Sequence, residues 1–185
     1  MGAKEILDTT TVLATTGLAV LTGIFAFSTY RIGKATRLML AETRTANFRQ
    51  IQIQSWLEFN RRFDSAEMTA ARKELAGKLM TPGQPLAAQD QYSELVTAFF
   101  EDLGAVYQEE SIHRQLAKNT FGYYACLWWE ALKPYIAEQR KLPPADAARF
   151  GQFEKLAGAM RREGEQFSGQ EIADFLAGEA KMWAL

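Results

Sequence analysis

Cysteine and histidine are almost missing from this chain: Cys126 and His113 are single occurrences in 185 residues. A lone cysteine excludes an intrachain disulfide and a thiolate zinc cluster built within one chain. A lone histidine restricts metal chemistry further. Glu110 and His113 stand at the three-residue spacing that dinuclear carboxylate bundles use. Such a site needs that pair twice, with two more carboxylates, so one chain supplies half of it. Completion across a homodimer axis is the minor alternative to a plain polar helix start. Also missing are a phosphate-cradling glycine loop, a nucleophile elbow and a zinc spacing. No alternating apolar run of strand length occurs, and no internal repeat. The net charge is -1, which gives no overall push toward nucleic acid. These absences point away from catalysis: no catalytic residue, no metal site and no cofactor are expected.

Charge is missing from one long stretch. Thr9 to Tyr30 contains no charged side chain. As a helix these residues would reach about 33 Å, close to the hydrocarbon thickness of a bilayer. The many threonines in the run are tolerable in lipid, because their hydroxyls can bond back to the helix's own carbonyls. The basic side chains Arg31, Lys34, Arg37 and Arg44 all follow the run. By the positive-inside rule, residues 1–8 form a short extracytoplasmic tail, 9–30 a membrane helix, and the rest a cytoplasmic part at the bacterial inner membrane. A cleaved signal peptide and a buried soluble helix are the competing readings. Both fit less well: the apolar run exceeds a signal core, and so short a chain has little to cover it. Thr11, Thr15, Ala19 and Gly23 recur every four residues and form a candidate packing seam for another membrane helix. No acid, base or histidine interrupts the span, which argues against a proton path, a channel lining or an axial haem ligand.

Residues 31–62 carry seven basic side chains against Glu42 and Glu58, a local charge of +5, while 63–185 sum to -5. This basic stalk faces two readings, contact with anionic headgroups or a solvated helix whose charges serve topology. Glycine and proline are missing between Gly33 and Gly77, so the helix is expected to continue to a break near Phe63. Asp64 with Glu67 resembles a capping box. Pro82, Gly83 and Pro85 mark a loop. An amphipathic helix follows over 91–110, in which Gly104 marks either a close contact or a kink. A long aromatic helix holds Phe121, Tyr124, Trp128, Leu132 and Tyr135 in one stripe, and Pro134 should bend or interrupt it. Pro143 and Pro144 suit a helix start. Ser168 with Glu171 caps the last helix. The expected fold is all-α: one N-terminal transmembrane helix followed by an irregular bundle of about five or six helices.

Trp128 and Trp129 are adjacent and point about 100° apart on a helix. One is expected in the core and the other at a second interface or groove, which makes the pair a candidate partner surface. Cys126 reads as a small apolar core residue. The doublets Glu101-Asp102 and Glu109-Glu110 read as solvated. Asn60, Arg61 and Arg62 are candidates to pair with acids such as Glu130.

The order of these parts resembles a known family. An apolar anchor, "WLEFNRRFDSAEMTAARKEL", "FFEDLGAVY" and "FGYYACLWWEALKPYIAEQR" are similar in layout to bacterial membrane-anchored helical proteins that carry a domain of unknown function. The resemblance covers about Gln54 to Arg140. It implies a single-pass anchor and a cytoplasmic helical domain, with no functional residues to carry over. The expected partners are the lipid bilayer and a membrane protein or further copies of the chain, not nucleic acid. The expected role is an accessory or assembly subunit of a membrane complex, with a membrane-linked sensor or effector as the alternative.

Overall fold

The structure is a computed structural model that describes residues 3–81, 83, 86–87, 90–143 and 146–182; for residues 3–15 and 19 it describes the backbone alone. Among the described residues there are six helices and no strand. Helix α1 runs Ala3–Phe63, α2 Ala66–Leu79, α3 Gln91–Gln108, α4 Arg114–Gln139, α5 Gly151–Met160 and α6 Gly169–Lys181. The chain divides into two compact units, 1–47 and 48–185.

In the first unit the helix is uninterrupted from Ala3, and every described side chain is exposed. The expected back-bonding is present: the Thr22 hydroxyl donates to the Leu18 carbonyl and that of Thr29 to Phe25, both at 2.8 Å. Among the described residues no helix is long and apolar enough to cross a membrane. The side chains of Thr11, Thr15 and Ala19, three members of the small-residue row, lie outside the described residues. Gly23 is described, and nothing lies within 4 Å of where its Cβ would stand. Arg31, Lys34, Arg37 and Arg44 are exposed.

The second unit is a five-helix bundle that also takes the end of α1 into its core. Phe63 is its aromatic hub, with the rings of Phe99, Phe121 and Tyr124 at 5.3, 5.5 and 4.9 Å. Trp56 donates its indole N–H to the Thr120 hydroxyl at 3.1 Å, fixing α1 against α4. The break after Phe63 is where the sequence places it, but the cap is one residue later. Ser65, not Asp64, accepts from the Met68 amide, while Asp64 accepts from the Asn60 side chain. Asp90 caps α3 by accepting from the amides of Tyr92 and Ser93. Ser168 and Glu171 form the expected capping box on α6.

Three expectations change. Pro134 does not interrupt α4; it sits on the exposed face, where the carbonyl it leaves unpaired can meet water. Helix α5 starts at Gly151, well after Pro143 and Pro144. Phe150 takes a left-handed conformation at φ 61° and offers no side-chain cap. The cap comes instead from α3: both Glu101 carboxylate oxygens accept α5 amides, from Gln152 at 3.2 Å and Phe153 at 2.8 Å. Glu101 is thus no solvated acid, and its neighbour Asp102 pairs with Arg62 at 2.7 Å. The third change concerns the tryptophans. Trp128 is fully buried and Trp129 is 7% exposed. α4 lies between two partners, so Trp128 packs on Phe175 of α6 and Trp129 on Phe153 of α5. Both faces are covered, and neither ring presents a partner surface.

Candidate functional site

One groove in the bundle combines depth with unspent polar groups. On α4, Gln115, Lys118, Asn119, Gly122, Tyr123 and Cys126 recur at three- and four-residue steps, which places them on one helix face. The segment between α5 and α6 crosses this face and contributes Arg162, Glu165 and Phe167. The space between them is about 600 Å³.

The crossing segment is held in place by its own hydrogen bonds. Arg161 is bonded to Glu130 on α4, and Glu130 also binds Lys133 at 2.6 Å. Glu130 therefore ties the α5–α6 connection to α4; it does not pair with Asn60, Arg61 or Arg62. The Arg162 amide donates to the Glu165 carboxylate at 2.9 Å, closing a turn. Gly164, at φ 76°, takes the left-handed conformation this turn needs. On the α4 side, Gln115 donates to the Asn119 carbonyl oxygen at 2.8 Å, which fixes both amides.

Cys126 forms the floor. It is buried, and its thiol lies 3.5 Å from the Ala157 carbonyl oxygen. Burial pushes the thiol up, with Arg161 opposing weakly. A thiol so placed stays protonated near neutral pH and is a poor nucleophile. The cations differ. Among the described residues neither Lys118 nor Arg162 forms an ion pair, although nine such pairs occur elsewhere.

The Glu110/His113 pair has another use. His113 is the N-cap of α4, its Nδ1 accepting from the Leu116 amide at 3.3 Å. Glu110 pairs with Arg114 at 3.1 Å. Among the described residues no group of three or more acids, histidines and cysteines gathers as metal ligands do.

A second charged centre is sealed inside. Arg72 of α2 lies with its guanidinium 3.9 Å over the Phe63 ring and 3.5 Å from the Glu179 carboxylate of α6. Both side chains are 4% exposed. Burial pushes the Glu179 carboxyl up, and Arg72 opposes the shift. The pair is almost wholly buried, and it joins α2 to α6.

With this geometry in hand, the comparison with protein families is specific. The family described as "Domain of unknown function (DUF4760)" matches residues 9–160. The chain belongs to this family. The DUF4760 match is wider than the resemblance seen in the sequence motifs, and it takes in the apolar run as well as α2 to α5. It ends at Met160, so the groove's α4 wall lies inside the family region while the crossing segment and α6 lie beyond it. No curated protein and no solved structure matches the chain.

Sequence reasoning missed Lys118, Arg162 and Tyr123. The readable sign was on α4: polar and small residues at helical spacing along an otherwise aromatic helix. The opposing wall had no such sign, because it is an irregular turn brought there by Arg161 and Glu130.

Proposed function

We propose that this DUF4760 protein is a non-enzymatic, single-pass membrane-anchored interaction protein, an accessory or assembly subunit of a bacterial inner-membrane complex. The observation that carries this reading is a charge-free run, Thr9 to Tyr30, followed on the same unbroken helix by the exposed basic residues Arg31, Lys34, Arg37 and Arg44. Leu18 and Phe25 are 66% and 73% exposed within that run. A bare apolar surface of this kind calls for lipid or a protein partner. In the reading, residues 1–8 lie outside, 63–185 lie in the cytoplasm, and the basic collar meets anionic headgroups. Gly23 would allow a partner helix to approach closely.

The test is purification of the full chain from native membranes in mild detergent. The chain should stay in the membrane pellet through an alkaline carbonate wash and co-purify with a different membrane protein. Gly23→Leu should weaken that co-purification. Release into the carbonate supernatant would overturn the anchor; recovery as the chain alone would overturn the accessory role.

A second reading, a membrane-linked sensor or effector, is supported by the α4 groove and by Lys118 and Arg162, which form no ion pair among the described residues.

A further inference from the structure

We infer that the groove between α4 and the α5–α6 connection binds a small anionic ligand with a planar ring, of the mononucleotide class. The inference concerns residues 115–167 only and does not depend on a membrane partner.

The cations come first. Lys118 is half-buried and Arg162 exposed, both line the groove, and neither is committed to an acid among the described residues. Two cations left uncommitted among the described residues at one depression are an anion-binding pair, since charge-assisted bonds to phosphate or carboxylate are the strong ones. The ring comes next. Tyr123 is 61% exposed, yet its edge-on contacts with Tyr124 and Phe175, at 6.0 and 5.9 Å, hold it in place. A fixed and exposed aromatic beside two cations is a stacking platform with little ordering left to do on binding. Phe167 supplies an apolar surface on the opposite wall.

The remaining groups fit the same ligand. Among the described residues Glu165 is the one carboxylate that lines the groove, and one of its oxygens already accepts the Arg162 amide. Its other oxygen can accept from a ligand hydroxyl or amine. Asn119 uses its carbonyl on Gln115 and keeps its two N–H donors. A ligand with an anionic group, a planar ring and hydroxyl or amine donors uses all of these at once; inorganic phosphate uses only the cations. The volume, about 600 Å³, is within the range of small-molecule sites.

The test is calorimetric titration of the detergent-purified full chain with AMP, adenosine and inorganic phosphate at low salt. AMP should bind more tightly than either of the other two. Lys118→Ala and Arg162→Ala should each weaken AMP binding about tenfold or more, as expected for one lost charge-assisted hydrogen bond. Tyr123→Ala should weaken AMP binding and leave phosphate unchanged. All three side chains reach the surface, and circular-dichroism melts matching the parent chain confirm that the variants fold. The inference is overturned if AMP gives no heat at millimolar concentration, if the Lys118→Ala/Arg162→Ala double variant binds AMP as the parent does, or if phosphate binds as tightly as AMP.

Discussion

Replacing Gly104 with alanine should destabilise the bundle by about 3 kcal/mol, the upper part of the usual cost of overpacking. An added Cβ would stand 2.4 Å from the Gln152 carbonyl oxygen and 2.7 Å from its carbon. Both are backbone atoms, so no side-chain rotation relieves the contact; α5 itself must move off α3. That movement draws the Gln152 and Phe153 amides away from the Glu101 carboxylate that caps them. It also opens the stack of Phe100 on Phe153, whose rings lie 4.8 Å apart and nearly parallel. Urea unfolding of the full chain in detergent, followed by tryptophan fluorescence, measures the loss. Gly158→Ala is the control. It lies inside α5 with nothing within 4 Å of its added Cβ. Helix propensity alone should then stabilise the chain by up to about 1 kcal/mol. A Gly104→Ala variant within about 1 kcal/mol of the parent would mean that α5 can slide without strain, against the overpacking expectation.

Gly104 also shows how far the sequence could be read. A glycine inside an amphipathic pattern signals either a kink or a close approach, and only the position of α5 decides between them. The helices themselves were legible, because glycine, proline and Ser168 punctuate strong periodic segments. The α5 start was not legible, since its cap is a side chain from another helix, fifty residues earlier. The tryptophans show the same limit. Adjacent positions on α4 cannot share one partner, but they can be buried by two, and α6 supplies the second through Phe175. The groove was half legible for a similar reason. Its α4 wall has helical spacing, while its other wall depends on Arg161 reaching Glu130 across the fold. Local rules place caps and turns; they are silent about which distant element covers a face.

The largest effect is expected at Arg72 and Glu179. Arg72 shares the buried face of α2 with Met68 and Leu75, and Glu179 reaches it from α6. Glu179→Ala leaves the guanidinium sealed among Phe63 and Tyr124 without its acid. Breaking a buried pair from one side costs about 3–5 kcal/mol. The double variant Arg72→Met/Glu179→Leu removes both charges and should recover stability to within about 1 kcal/mol of the parent or exceed it. The pH dependence separates this pair from a surface bridge. Glu179's native carboxyl lies above its ordinary 4.5, because burial disfavours the charge more than Arg72 restores it. The folded state therefore holds this proton more tightly than the unfolded state. The group's contribution is fully present below 4.5 and falls as pH rises from there through the raised native value. In the double variant that decline should vanish from stability measured across the acid range. A double variant as unstable as Glu179→Ala would mean that the charges themselves hold α6 to α2. Recovery would mean that apolar burial, and not the ion pair, holds α6 to α2.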